Sequence, residues 1–120
     1  MIKQLTINEL QSTITKAQIP ILIIFQTKWC TVCTADALKL AFYKKQNLVN
    51  FIIYSVDVDD NHLWREDKNP FYCIDVVPTY YVYLNQQIIF QSTEPINIGQ
   101  LHKILTKIKS KWIVDLDVKQ

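Results

Sequence analysis

Glycine is nearly absent from this chain of 120 residues, because Gly99 is its single glycine. Phosphate-binding loops such as G-x-G-x-x-G and the P-loop place several glycines where the backbone meets the ligand. A single glycine therefore excludes dinucleotide-binding folds and P-loop NTPases. It also predicts that asparagine, aspartate, proline and serine form the turns.

Cysteines and long apolar segments are also scarce. The three cysteines are an odd number with two close together, which is not the framework of a disulfide-stapled secreted domain. The longest apolar run, residues 19–25, has the length of a strand and falls far short of the ~20 residues that span a bilayer. The first residues lack the apolar segment of a secretory signal, which predicts a cytoplasmic protein if this is the native start.

A large excess of charge of either sign is missing too. Thirteen basic and eleven acidic residues give a net charge of +2, so neither a nucleic acid nor a membrane is expected as a partner. Apolar residues make up 49% of the chain and charged residues 20%, which is typical of a globular protein. The length predicts a single domain over residues 1–120, in which the pattern leaves the structure of residues 111–120 open.

The hydrophobic pattern predicts alternating helices and strands. The expected helices cover residues 9–18, the segment from Cys30 to about residue 46, a short stretch at 59–64, and 97–110. The expected strands cover residues 21–26, 51–56, 79–84 and 87–91, with a short one possible at 3–5. The helix between the first two long strands makes them parallel, and Asn85-Gln86 closes the last two into a hairpin. The predicted fold class is α/β, with a mixed sheet of four or five strands and helices on both faces.

The segment Trp29-Cys30-Thr31-Val32-Cys33 lies where a buried strand is followed by a helix. Two intervening residues bring both sulfurs within reach of a disulfide across one helical turn. The helix N-terminus favours an anion, so the pKa of Cys30 should fall from its free value near ~8.5 toward ~3.5–7.5. Cys33, one turn further on, is shielded. We therefore expect Cys30 to attack a substrate disulfide and Cys33 to resolve the mixed disulfide.

Metal binding is the alternative use of a cysteine pair. A zinc site needs two more ligands, and the candidates Cys73, His62 and His102 do not repeat a paired ligand spacing. A metal or iron–sulfur site shared between two chains is a further alternative. Two inert buried thiols are disfavoured, because a Trp-Cys junction between a strand and a helix is expected to be exposed.

The strand and motif at residues 21–33 resemble the active site of the thioredoxin family, and Val77-Pro78-Thr79 is similar to the family's cis-proline loop. The resemblance covers residues 3–110. It implies a thioredoxin fold and thiol–disulfide exchange through Cys30 and Cys33 without a bound cofactor. It also implies that Trp29, Val77, Pro78 and Thr79 position the substrate. The implied partners are protein or low-molecular-weight disulfides and an external reductase or thiol.

Three departures from the family pattern bear on the chemistry. Thr31-Val32 replaces the usual Gly-Pro between the cysteines, which changes the reduction potential in a direction the sequence does not specify. The family's buried aspartate and its lysine partner fall at Ile24 and Ser55, so both members of a charge pair are missing together. Slower turnover is the expectation. Glu94 stands where a groove-flanking glycine is usual, which predicts altered partners.

Two further side chains could tune or regulate the pair. Lys28 could stabilise the Cys30 thiolate, or be an ordinary solvated loop lysine. Cys73 is expected to be a buried structural thiol, with a regulatory thiol as the alternative. The main functional alternative to an oxidoreductase is a redox-switched binding module on the same fold.

Overall fold

The computed structural model of the chain describes residues 2–46, 50–67 and 72–119, with side chains through residue 108. Its strands are β1 (Lys3–Gln4), β2 (Ile21–Gln26), β3 (Ile52–Asp57), β4 (Thr79–Leu84) and β5 (Gln87–Ser92). Its helices are α1 (Ile7–Lys16), α2 (Thr31–Gln46) and α3 (Ile98–Lys119), with a short 3₁₀ helix at Arg65–Asp67. None of these helices is long and apolar enough to cross a membrane.

The five strands form one mixed sheet in the order β1-β3-β2-β4-β5. β3 pairs in parallel with β1 and β2, whereas β4 pairs antiparallel with β2 and β5. The predicted fold class is confirmed, including the parallel pair that the connecting helix α2 requires. β2 lies at the centre, and the cysteine helix follows its carboxyl end.

The side chains of β2 alternate between two hydrophobic cores, as the pleat of a strand requires. Ile21, Ile23 and Phe25 pack in a core that includes Leu10 of α1. Leu22 and Ile24 pack on the other face, together with side chains of α2 and α3. Because both faces of β2 are covered, its first five residues are at most 1% exposed.

Thr6 and Glu9 form a capping box that starts α1 two residues earlier than predicted. The backbone N–H of Glu9 donates to Thr6 Oγ1 over 3.2 Å, and the N–H of Thr6 donates to Glu9 Oε1 over 3.0 Å. Two donors at the start of the helix are satisfied in this way. The first of the two cores receives Leu10, Ile14 and the C-cap residue Ala17, which recur at helical spacing in the sequence.

The predicted helix at 59–64 is wrong, because this segment forms turns and the 3₁₀ helix begins only at Arg65. His62 is the physical reason. The side chain of Asp57 accepts the N–H of Asp60 over 2.8 Å, and its carbonyl accepts the side chain of Asn61 over 2.8 Å, so a first helical turn begins here. His62 then has a positive φ angle of 52°, and a right-handed helix does not continue through this left-handed backbone conformation.

The sequence places Ala35, Leu38, Ala41 or Phe42, and Lys45 at helical spacing, which predicts that they share one face of this helix, but α2 buries a different face. Leu38 and Phe42 are 68% and 63% exposed. The helix buries Cys33, Asp36, Leu40 and Tyr43 instead. The helical spacing of the sequence therefore predicted the helix correctly but indicated the wrong face as buried. The first turn of α2 directs Cys33 into the protein, and this determines which face is buried.

The hairpin between β4 and β5 turns without glycine. Asn85 and Gln86 both have positive φ angles, of 52° and 68°. Asparagine tolerates this region of backbone space better than most residues do. The predicted Asn-Gln turn is confirmed.

The last helix, α3, continues through Lys119, so the backbone of residues 111–119 is helical.

Candidate active site

Cys30 occupies the N-cap position of α2. Its sulfur accepts the backbone N–H of Cys33 over 3.1 Å, and its carbonyl accepts the N–H of Thr34 over 3.3 Å. The sulfur thus has the role that a serine or aspartate oxygen has at other helix starts. A negative charge on this sulfur would be favoured by the donated N–H and by the helix dipole.

Cys30 and Cys33 form a disulfide whose Cα atoms are 5.3 Å apart. The two residues differ in exposure. Cys30 keeps 7% of its surface accessible and Cys33 only 1%. An incoming sulfur can therefore approach Cys30 more readily than Cys33. Thr31, the first residue of α2, is exposed between them.

The loop before β4 lies beside the carboxyl end of β2, because Thr79 pairs with Phe25 in the antiparallel register. The Val77-Pro78 peptide bond is cis. Thr79 Oγ1 donates to the carbonyl of Val76 over 2.7 Å, which links the loop to the start of the strand. Residues 77–79 therefore share one edge of the sheet with the cysteine motif.

Trp29 is held in an exposed position by a carboxylate that the sequence did not single out. Its indole Nε1 donates to Asp59 Oδ2 over 2.9 Å, and that of Trp64 donates to Asp59 Oδ1 over 2.6 Å. The two indole rings stack with centroids 6.3 Å apart and planes 10° from parallel. Trp29 is 66% exposed, so the pair presents an aromatic surface next to Cys30.

The hydrogen bond from Trp64 and, to a lesser extent, the one from Trp29 lower the pKa of Asp59 below its usual value. The sequence predicts only a short helix from Asp59 to Trp64 and gives neither side chain a part in the site. The signal that could have found them is position, because both follow β3 at the carboxyl edge that it shares with β2. Parallel neighbours end on the same side of a sheet, where ligand sites gather.

Lys28 pairs with Asp60, with its Nζ 3.2 Å from Oδ2, and both side chains are largely exposed. The hydrogen bond to Asp60 raises the pKa of Lys28. The ammonium thus has a carboxylate as its partner, so part of its charge is compensated before it can act on Cys30. Its role in tuning the thiolate stays a prediction.

Ile24 and Ser55 are neighbours in the β2–β3 register and are buried, at 0% and 3% exposure. An apolar and a small polar side chain thus fill the place where the family has a charge pair. A different acid is buried nearby, which the sequence did not predict. Asp36 of α2 is 1% exposed and lies one turn beyond Cys33. It was missed because the predicted helix face was out of phase.

Cys73 is exposed, so the expectation of a buried structural thiol is wrong. It borders a groove of about 360 Å³ that also includes Thr79 and Tyr81. The thiol is outside the core because it precedes the short bridge between Ile74 and Trp64 instead of lying in a strand. A regulatory role for Cys73 stays a prediction.

Glu94 is exposed, and its N–H donates to Ser92 Oγ over 3.1 Å.

Metal-ligating side chains do not gather elsewhere in the part of the chain that the structure describes. Within it, no group of three or more histidine, cysteine, aspartate or glutamate residues is arranged to hold a metal ion. His102 bonds instead to Tyr43, with Nδ1 2.8 Å from the hydroxyl oxygen.

No curated protein matches this chain. A family model described as thioredoxin matches residues 1–107, which is most of the 120 residues. The mixed sheet, the flanking helices and the cysteine pair at the start of α2 agree with that match. The chain belongs to the thioredoxin family.

Proposed function

We propose that the protein is a thiol–disulfide oxidoreductase whose reacting groups are Cys30 and Cys33. The observation that carries the proposal is the position of the Cys30 sulfur. It caps α2 as an acceptor, is the more exposed of the pair, and lies within disulfide reach of Cys33. A sulfur in this position is stabilised as the thiolate that disulfide exchange requires.

In the reducing direction, the Cys30 thiolate attacks one sulfur of a substrate disulfide. A mixed disulfide forms, and the other substrate sulfur leaves as a thiolate. Cys33 loses its proton and attacks Cys30 Sγ, which expels the second substrate sulfur. Two electrons pass to the substrate, its two sulfurs take up two protons, and the protein is left with the Cys30–Cys33 disulfide. The oxidising direction is the reverse.

Substrate positioning falls to the surface around Cys30 in this proposal. Trp29, together with Trp64, offers an exposed aromatic face on one side. Val77, Pro78 and Thr79 lie at the same edge of the sheet, where an extended substrate segment could pair with backbone groups. The substrates would be protein or low-molecular-weight disulfides. An external reductase or a small thiol would restore the dithiol, and the cytoplasm is the compartment that suits such a cycle.

A redox-switched binding module is the second candidate. Ile24 and Ser55 are buried where a charge pair is usual, which favours this candidate. Without the buried acid, the Cys30–Cys33 disulfide could form and break slowly, with little catalytic turnover. In that function, reduction of the disulfide would change the affinity for a partner, and the substrate flux would be negligible.

Turnover of insulin disulfides in the presence of dithiothreitol separates the two candidates. We expect the full chain to accelerate insulin reduction and both Cys30→Ser and Cys33→Ser to abolish the acceleration. Cys73→Ser is the matched control and should retain it. Cys33→Ser should also trap substrates as mixed disulfides through Cys30. Absence of both turnover and trapped species would reject exchange as the function.

A further inference from the structure

Asp36 is a buried carboxylate to which the exchange mechanism assigns no role. It is 1% exposed and joins three parts of the protein. It belongs to α2, the Tyr80 hydroxyl of β4 donates to its Oδ2, and the backbone N–H of Ile96 donates to the same oxygen over 2.9 Å. A carboxylate buried this deeply is costly unless its hydrogen bonds are made.

The neighbours of Asp36 all suit the ionised form. Tyr80 and the Ile96 N–H are donors, and the remaining oxygen, Oδ1, faces Lys39 Nζ at 4.0 Å. Burial, and then the bond to Asp36, raises the pKa of Tyr80, so the tyrosine stays a neutral donor. The Ile96 N–H and the Lys39 ammonium can only donate, so a protonated carboxyl could give its hydrogen only to the Tyr80 hydroxyl, which would then no longer donate to Oδ2. Two donors on one oxygen and a cation facing the other therefore favour the ionised form.

Cys33 lies one helical turn before Asp36, on the same buried side of α2. Cys33, Asp36, Leu40 and Tyr43 are spaced by three, four and three residues and form one buried stripe. Side chains three residues apart on a helix are adjacent, with ~5–6 Å between their Cβ atoms. Both Cys33 and Asp36 are 1% exposed, so solvent screens their interaction only weakly.

We propose that Asp36 is a positioning residue whose buried charge holds Cys33 in the thiol form in the reduced protein, leaving Cys30 as the sole thiolate. A like charge in a poorly hydrated site disfavours a second anion. Cys30 lies instead at the helix N-terminus, where its sulfur accepts an N–H. The inference rests on the proposed function for the roles of the two cysteines. It assigns their division of labour to a difference in electrostatics as well as in exposure.

Asp36→Asn tests the charge with little change of shape. Both donors meet a single carboxylate oxygen, so the amide oxygen of asparagine can accept both bonds while the charge is lost. The titration of Cys33 is read from its Cβ carbon shift by NMR in the full-length, reduced chain carrying Cys30→Ser and Cys73→Ser. We expect Asp36→Asn to lower the midpoint by about one pH unit. An unchanged or higher midpoint would overturn the proposal.

Tyr80→Phe is the matched control, because it removes a hydrogen bond and leaves the charge. A purely structural role for Asp36 would give both variants the same effect on the Cys33 midpoint, whereas the proposal requires the downward shift in Asp36→Asn alone. If Asp36→Asn does not fold, Asp36→Ser, which also removes the charge, replaces it. Loss of the carboxylate should again lower the midpoint, and a constant or higher value rejects the proposal. These titrations need no turnover, so their outcome is separate from that of the insulin assay.

Discussion

At the scale of single residues, the described side chains around Ile24 include no cation with which a buried carboxylate could pair. Ile24 is fully buried, its register partners are Ser55 in β3 and Tyr80 in β4, and it packs in the core that also contains Leu40. The Tyr80 hydroxyl already donates to the buried carboxylate of Asp36. A second carboxylate here would find no cation among these described neighbours.

Ile24→Asp should therefore destabilise the protein by about 3 kcal/mol at pH 7, because a lone buried carboxylate loses hydration without gaining a partner. Burial would raise the folded-state pKa of the new group. The penalty is thus smallest below the unfolded value of about 4 and grows as pH rises through the folded pKa. Urea unfolding at pH 4 and pH 7 measures both effects.

Ile24→Val is the matched control for Ile24→Asp, since it removes volume without adding charge. It should cost about 1 kcal/mol and show no added pH dependence. Equal stability of Ile24→Asp and the parent at pH 7 would contradict the burial of this side chain.

Residues that act through the local chain could be predicted from the sequence, and residues that act across the fold could not. Cys30 and Cys33 are three positions apart, so the geometry of a single helical turn brings their sulfurs together. Asp59 reaches Trp29 across 30 positions, and Asp36 reaches the Ile96 N–H across 60. Such contacts depend on strand order and helix phase, which a hydrophobic pattern leaves underdetermined.

At the scale of elements, Asp59 joins the segment after β2 to the segment after β3. It accepts one indole N–H from each, and the stacked rings of Trp29 and Trp64 complete the link. Two segments that are separate in sequence thus form one exposed surface beside the cysteines. The order of this surface depends on the charge of a single carboxylate.

The tryptophan pair should loosen in acid. The pKa of Asp59 is lowered by the bonds from Trp64 and Trp29, so the contacts persist above its ordinary value of 3.8 and weaken as pH falls through the lower folded value. Tryptophan fluorescence, followed from pH 6 downward, should change with a midpoint below 3.8.

Asp59→Asn should remove this acid transition, because the amide does not titrate. Asp60→Asn should retain it, since Asp60 pairs with Lys28 and not with an indole. A midpoint above 3.8, or a transition that survives in Asp59→Asn, would show that another group controls the pair.

The elements themselves differed in how well the sequence predicted them. β2 and β4 have the predicted bounds, because continuous apolar or tyrosine-rich runs between turn residues have few other solutions. The phase of α2 was wrong because its sequence alternates apolar, polar and charged residues almost evenly around the helix. Contact with the sheet, and the inward direction of Cys33, selected the buried side.

At the scale of the whole molecule, the disulfide closes a very short loop. In the chain-entropy description a loop of this length restricts the unfolded chain by about 2 kcal/mol. We expect the oxidised protein to be more stable than the reduced one by about that amount. Urea unfolding of both forms in a Cys73→Ser background, which prevents exchange with the exposed third thiol, measures the difference.

The double variant Cys30→Ser, Cys33→Ser is the control for the disulfide measurement. Its stability should be independent of added reductant and close to that of the reduced protein. A reduced form that is more stable than the oxidised one would mean that the dithiol gains interactions that exceed the loss of the cross-link.

The antiparallel pairing of β2 with β4 separates the two ends of the sheet. Thr79 pairs with Phe25 near the cysteines, and Tyr83 pairs with Ile21 at the opposite end, next to the Asn85-Gln86 turn. That turn is exposed. It is therefore a suitable attachment site. A linker or a fluorophore attached at this turn would hold the protein by the end of the sheet opposite the cysteines and leave Cys30 accessible to the solution.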